Sequence, residues 1–368
     1  MKIEEIQAKS ILVASKLPDA DYVINPYTGC QFGCLYCYAT FMGRFVNEPR
    51  ANWGNYVYVK INAIEVIKRE LASWSIEKRR STVLLSSVTD PYHGIEKKYR
   101  LTRGILQALV DVQYPGCVSL LTKSPMVLRD IDLLKQLPTV DVGLTVTTTD
   151  DKLSRFLEVT APLASRRLDT LSQLNAQNIP TYAFVGPLLP HFRYQPDLLE
   201  NLFRAIRDSG TRDIYVEHIN LPSYVKERIW KTLRNESSEI QEVYEGAETA
   251  KHREILGKMV DDLVQKYELR IRLGGTIYHK ELPAAGRKTS DADIRVVINK
   301  ALANNRVVNI LYEDSEGKTT ERSITPIEWT DFDERKIRAY CHLRKDERQF
   351  NLNRIKFAEL ESKQSSSN

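Results

Sequence analysis

The sequence predicts an α/β chain, a partial (β/α)6-type barrel followed by a small β-barrel. Three observations carry that expectation. Apolar, β-rich runs alternate with helical patterns up to about residue 280, as βαβ units do. Composition changes abruptly over 279–293, HKELPAAGRKTSDAD, where Pro, Ala, Gly, Lys, Ser and Asp replace apolar periodicity. Beyond that break, one helical pattern precedes four or five short strand patterns in about 70 residues.

Taken in order, strands are expected at Asp21–Ile24, Thr82–Ser87, Val118–Leu121, Val142–Thr147, Thr181–Val185 and Ile214–Glu217, with a further short one at Arg270–Leu273. Between them, IEVIKRELASW, LTRGILQALVDV, RDIDLLKQL, ASRRLDTLSQLNAQ and PDLLENLFRAIRD repeat apolar residues at helical spacing. A barrel of parallel strands fits this alternation, with a doubly wound open sheet as the alternative. Residues 222–268 form long, charged helical patterns, expected to be a packing or covering element. The helix pattern IRVVINKALANN then leads into VVNILYED, TERSITPIEW, KIRAYCHL and QFNLNRIKFAEL, with Asp314-Ser315-Glu316-Gly317 as the turn after the first. The expected division is a barrel domain over 1–280, a linker over 281–291, a β-barrel domain over 292–361 and a disordered tail over 362–368.

Composition narrows the function classes. The 368 residues are 42% hydrophobic and 27% charged, which excludes wholesale disorder and collagen-like structure. No run approaches the roughly 18–20 apolar residues of a membrane span, and the N-terminus lacks a signal-peptide core. A cytoplasmic protein with no membrane partner is therefore expected. A net charge of +5 permits contact with nucleic acid without arguing for it. The excess lies before residue 290, where 39 basic residues face 34 acidic ones.

Cysteine placement is the most informative feature. Of five cysteines, Cys30, Cys34 and Cys37 fall in NPYTGCQFGCLYC, with spacing C-x3-C-x2-C, directly after the first expected strand. An odd count argues against a disulfide scaffold. Gly29 and Gly33 permit the tight loop that turns three sulfurs toward one point. A cubic [4Fe–4S] cluster needs four cysteines to saturate it, so three leave one iron open to a substrate or cofactor. Zinc is the alternative, but it takes four ligands in structural sites. No His or fourth Cys is near, and Cys117 and Cys341 are distant in sequence.

These residues resemble the radical S-adenosylmethionine (radical SAM) superfamily, whose signature is this spacing after the first barrel strand. The resemblance runs over roughly residues 20–280, and SSVTDPYHGIEKKYRLTRGIL, SLLTKSPMVLRDIDLL, VGLTVTTTD and FLEVTAPLASRRLDTLSQL are most similar to the spore photoproduct lyase-like branch. It implies a [4Fe–4S] cluster on Cys30, Cys34 and Cys37, SAM on the open iron, and reductive cleavage to a 5′-deoxyadenosyl radical. It also implies an external one-electron donor such as flavodoxin or ferredoxin. Tyr36 matches the aromatic position beside SAM. Ser87, Thr89 and Asp90 match the loop for the SAM amino group, and Lys123 meets the carboxylate. The fourth strand carries Thr145 and Thr147, with Glu158 and Arg167 as landmarks beyond it, and Gly186 ends the fifth near the adenine. Glu158 and Arg167 read equally well as a structural ion pair. His93 is a candidate for the barrel mouth, and Tyr38, Tyr92 and Tyr99 are candidate hydrogen-atom relays. His191 and His218 read as ordinary packing residues. One departure stands out. The lyase's hydrogen-donating Cys corresponds to Val88 here, so thymine-dimer reversal is not expected.

The C-terminal residues 292–360 resemble a WYL domain, an SH3- or Sm-like β-barrel, through ILYEDSEGK, SITPIEW, IRAYCHLRKDERQF and NLNRIKF. Its name-giving triplet aligns with Arg335-Lys336-Ile337, so two of its three residues are replaced. Arg344, Arg348 and Arg354 are expected on one strand face and suit phosphate. The favoured reading is a radical SAM enzyme of lyase or modification type acting on a nucleic acid or nucleotide, in repair or modification. The alternative is a cluster-containing regulator that binds DNA or a small nucleotide through the C-terminal domain.

Overall fold

Parallel pairing requires a crossover that returns the chain to the starting edge, and helices between short apolar strands supply it. The computed structural model describes the chain except residues 235, 279–290, 315–318, 332–334 and 361–368. In the first unit, Met1–His279, seven parallel strands lie side by side in chain order. They are Tyr22–Ile24, Val83–Leu85, Val118–Thr122, Val140–Thr145, Thr181–Leu188, Asp213–His218 and Arg270–Ile271. Pairings such as Tyr22 with Val83, Val83 with Val118 and Val118 with Val140 fix the register. The order never reverses, which rules out the doubly wound alternative, whose strand order turns back at a switch point. Leu12–Ala14 adds an antiparallel edge strand beside the first barrel strand. This is a partial barrel of parallel strands.

The helices follow the apolar spacing closely. Ala63–Ser73, Leu101–Asp111, Ala164–Ala176 and Pro196–Asp208 each bury one stripe against the sheet. On Leu101–Asp111 that stripe is Leu101, Ile105, Leu106, Ala108 and Leu109. The 129–137 pattern is not one helix. Pro125 starts a 3₁₀ segment through Asp130, and one α-turn follows at Ile131–Leu134. Arg103 and Arg129 hold the buried Asp130 carboxylate at 2.8 and 2.7 Å, which fixes the junction. Residues 222–268 divide into Ser223–Leu233, Ser238–Glu245 and Ala250–Lys266, with Ser237 and Thr249 capping the last two. Arg270–Leu273 is a strand only through Ile271.

One element has no counterpart in the sequence expectations. Lys2–Ile6 pairs in parallel with Tyr56–Lys60, which pairs antiparallel with Tyr27–Thr28. This small sheet backs the segment that carries the cysteines.

The second unit, Lys280–Asn368, has its own core. Its described strands form one antiparallel sheet in the order Asp346–Asn351, Lys336–Cys341, Thr319–Trp329, Val308–Glu313 and Ile355–Leu360. Ile294, Ile298 and Ala301 of the helix Asp291–Asn304 cover Val308, Ile310, Ile324 and Ile337. Alternate burial of Val308, Ile310 and Tyr312 shows the expected period of two. The placement of three arginines on one strand face is corrected. Arg344 sits in the turn before Asp346–Asn351, Arg348 lies on that strand, and Arg354 ends a short 3₁₀ segment after it. The strand is simply too short to hold all three. Except for Asp291, which starts the helix Asp291–Asn304, the linker at 281–291 lies outside the described residues, as do the tail at 362–368 and most of the 314–317 turn. No described helix is long and apolar enough to cross a membrane.

A tight crossing of the fourth and fifth barrel strands tests this packing. A Cβ on Gly143 would stand 2.1 Å from the Tyr182 ring, whose hydroxyl donates to the Leu120 carbonyl at 3.0 Å. Gly143→Ala is expected to destabilise the chain by about 1–3 kcal/mol through overpacking, measured by urea unfolding.

Candidate active site

The loop after the first barrel strand converges three sulfurs. Gly29 and Gly33 have φ of +92° and +61°. A Cβ on Gly29 would lie 2.4 Å from the Tyr56 carbonyl oxygen, so both conformation and space require glycine there. The Cys37 amide donates to the Cys34 carbonyl at 3.2 Å. Cys30 and Cys34 are buried and Cys37 is half-buried. Phe32, Trp53, Tyr56, Tyr58 and Ala161 pack with the first two, and Tyr36, Cys37 and Val88 lie against them.

Burial pushes all three thiols up, Cys34 to about 12. Cys34 and Cys37 both raise Cys30, and Cys37 raises Cys34, so the three feel one another. Three thiolates held together in such a place require a positive partner, and their soft sulfur set fits an iron–sulfur cluster. Among the described residues, no group of three or more His, Cys, Asp or Glu side chains is placed to hold a metal ion. Cys117 precedes the third strand, at the opposite edge of the sheet from this loop. Cys341 is in the second unit's core.

The loops at neighbouring strand ends lock onto the cysteine loop. The Asn25 side-chain oxygen accepts from the amides of Ser87 and Val88 at 3.0 and 3.2 Å. Thr89 donates its hydroxyl to the Gly29 carbonyl at 2.5 Å, and Tyr38 donates to the Ser87 carbonyl. Asp90 is buried and accepts from the Thr122 hydroxyl at 2.6 Å and from the amides of Lys123 and Tyr92 at 2.8 and 2.9 Å. Desolvation dominates these bonds and raises its carboxyl above the usual range.

A second cluster centres on Glu158. Its carboxylate accepts from the Tyr36 hydroxyl, from Ser154 at 2.9 Å and from the fully buried Arg167. Lys123 Nζ lies 3.9 Å from it and 5.8 Å from the Tyr36 ring centre. Burial alone would raise Glu158; Arg167 and Lys123 outweigh burial and hold it below its usual range. Arg167 also donates to the Thr145 carbonyl at 3.1 Å. The buried Thr147 hydroxyl has no hydrogen-bond partner among the described residues. A Cβ on Gly186 would meet the Phe184 ring at 2.0 Å, so this glycine makes room for an aromatic side chain.

Cys34, Tyr36, Lys123, Glu158 and Arg167 thus come together, since Lys123, Glu158 and Arg167 all act on the Cys34 thiol. His93 is instead fully buried, with Nδ1 3.2 Å from the Gln31 side-chain oxygen and its ring against Tyr27. His191 meets the Tyr244 hydroxyl at 3.2 Å and His218 the Ile219 carbonyl at 2.9 Å, as packing residues. Tyr92 is buried and Tyr99 donates to Glu5; Tyr38 alone of the relay candidates borders Cys37. A cavity of about 580 Å³ lies along Gln31 and Phe32, with Lys97 and Arg166 in its wall, but none of the strand-end candidates named above other than Tyr92 line it. Sequence reasoning missed Asn25, Gln31 and Arg228. Asn25 and Gln31 lie in the cysteine segment itself, but only folding brings their partners Ser87, Val88, His93 and Ile95 to them and Arg228 to the Gly33 carbonyl.

Residues 24–195 match the radical SAM superfamily and residues 294–360 the WYL domain. An uncharacterized protein of Methanocaldococcus jannaschii is 38% identical over 190 residues, spanning 52% of this chain and 69% of that one. One from Mycobacterium tuberculosis is 30% identical over 283 residues, 72% of this chain and 81% of its own. A radical SAM Nα-GlyT isomerase of Pseudomonas phage M6 is 25% identical over 196 residues, 53% of this chain and 38% of its own. Spore photoproduct lyase complexed with dinucleoside spore photoproduct has a similar fold, with TM-score 0.50 and 15% identity over 75% of this chain and 82% of that one.

Two stability measurements probe the site. Glu158→Gln leaves Arg167 buried without its counter-charge and is expected to cost about 3–5 kcal/mol in urea unfolding. Adding Arg167→Met should cost less than the sum of the two single changes. Burial lowers the His93 imidazole to about 3. The unfolded chain therefore binds the extra proton between pH 6.5 and 3, and stability falls as pH drops through that window. From pH 7 to 5, His93→Gln should lose about 2 kcal/mol less than the unsubstituted chain.

Proposed function

Because the chain belongs to the radical SAM superfamily, we propose that it binds a [4Fe–4S] cluster through Cys30, Cys34 and Cys37 and SAM at the remaining iron, and acts on a nucleic acid or nucleotide. The observation that carries this reading is the loop itself. Two buried thiols and a half-buried third, packed in one cluster, follow the C-terminal end of the first parallel strand, the edge where barrel sites form. When bound, cluster and SAM would supply a 5′-deoxyadenosyl radical from one external electron, given by a donor such as flavodoxin or ferredoxin.

The chain's own residues hold and orient. Lys123 is the cation for the SAM carboxylate, kept in place by Glu158. Tyr36, fixed through its hydroxyl, presents its ring beside the cysteines. Ser87 and Thr89 offer backbone from a loop tied to Gly29 and Asn25. The unpartnered Thr147 hydroxyl is available to a polar ligand group, while Thr145 and Gly186 shape the floor. Val88 packs against the cysteine loop without a thiol, so the hydrogen returned to substrate comes from elsewhere, and modification is favoured over dimer reversal. The C-terminal unit recruits substrate. Arg344 and Arg348 are exposed there, Arg354 is half-buried, and no ion pair holds any of the three among the described residues.

Anaerobic reconstitution with iron and sulfide tests the reading. The expected result is about four irons per chain and formation of 5′-deoxyadenosine with dithionite and SAM. Bound zinc in place of iron, or intact SAM after reduction, sinks it. Cys34→Ala should lose the cluster's visible absorbance and its 5′-deoxyadenosine while the C-terminal unit keeps its β-sheet circular dichroism.

A further inference from the structure

The helix Ser223–Leu233 belongs to a segment that reads, in sequence, as a covering element. Its apolar side joins Ile219, Leu221, Val225 and Ile229 to Leu35 and Tyr36 of the cysteine loop. Polar contacts accompany this packing. Tyr224 donates its hydroxyl to the Tyr38 carbonyl at 3.2 Å, and Arg50 stacks on the Tyr224 ring at 4.5 Å. Arg228 Nη2 donates to the Gly33 carbonyl at 3.1 Å, between the first two cysteines. Its Nη1 is buried and has no hydrogen-bond partner among the described residues. The nearby cations Lys226 and Lys231 each have a carboxylate partner, Glu248 at 2.9 Å and Glu227 at 3.0 Å.

A buried guanidinium donor with nothing to bond is costly unless a negative group faces it. The charged groups that act on Arg228 are foremost Cys37 and Cys34, and Arg228 acts in turn on Cys37. We propose that Arg228 is a positioning residue of the cysteine loop that also sets the cluster's reduction potential, through a half-buried positive charge brought in by the covering helix. This rests on the cluster reading above. A cation beside a redox centre favours the more negative, reduced state. Removing the cation therefore makes the centre harder to reduce. The covering helix is then part of the electron-accepting site, and the barrel alone does not complete it.

The test is an EPR-monitored redox titration of the full chain, reconstituted without oxygen. Arg228→Gln keeps a donor for the Gly33 carbonyl and drops the charge. It should hold the same iron, with a ratio of reduced to oxidised cluster at fixed potential about tenfold lower, a negative shift of about 59 mV for one electron. Arg228→Lys should restore most of that shift, and Tyr224→Phe, which removes a loop contact without touching charge, should leave the potential in place. An unmoved potential in Arg228→Gln overturns the inference alone. So does an equal shift in Tyr224→Phe, since packing would then explain the effect. If Arg228→Gln takes up no cluster, a Lys variant that does so at the normal potential supports the charge role, and loss in both variants overturns it. An unsubstituted chain without a [4Fe–4S] signal overturns the proposed function and this inference with it.

Discussion

The carboxylate of Glu158 joins elements that lie far apart in the sequence. It accepts from Tyr36 in the cysteine loop, lies beside Lys123 after the third strand and pairs with Arg167, which reaches back to the Thr145 carbonyl ending the fourth strand. A buried ion pair of this kind contributes little net stability, because desolvation offsets most of the attraction. Its value here is geometric. With both oxygens engaged, the carboxylate allows one arrangement of three strand ends, and the half-buried Lys123 is aimed along the Tyr36 ring. The pair is structural in its bonds, and under the proposed function those bonds also position Lys123 and Tyr36 for the cofactor.

Charge around the cysteines is balanced from two directions. Lys123 and Arg167 approach Cys34 from the strand ends, and Arg228 approaches Cys34 and Cys37 from the covering helix. Asp90 and Glu158 oppose them on Cys30 and Cys34. In a buried site, such charges act at short range with little screening by salt. The local potential is then a property of three separate chain segments, and none of the three fixes it alone.

The sequence disclosed what is contiguous. Cys30, Cys34 and Cys37 were legible because their spacing is short and the loop glycines beside them have the positive φ that the turn requires. Six barrel strands were legible because β-branched runs alternate with helical stripes, and their ends moved by one to three residues as the pairing partners set them. Lys2–Ile6 and Tyr56–Lys60 were not, although NYVYVKI alternates aromatic and β-branched residues. They pair across some fifty intervening residues, and neither run reads as a barrel strand. Arg228 was invisible for a similar reason, since its partner Gly33 is 195 positions away. The arginines of the C-terminal unit misled because alternation was read through a turn, and side chains keep a period of two only inside a strand.

Asp90 shows how a residue expected to face a ligand can also be a brace within the fold. By resemblance its carboxylate belongs to the loop that receives the SAM amino group. In the folded chain it already accepts from Tyr92, Thr122 and Lys123, and it is buried. Oδ1 takes two of these bonds and Oδ2 only the one from the Lys123 amide, so an ammonium group drawn to this carboxylate would share Oδ2 with the bond that holds the Lys123 backbone. Moving Lys123 would in turn loosen its contact with Glu158 and Tyr36. Under the proposed function, the backbone carbonyls of 87–89, whose positions Asn25, Tyr38 and Thr89 fix from the cysteine loop, would share in recognising the amino group. On that reading Asp90 acts through Lys123, and the two ends of one amino acid are recognised by a single braced unit.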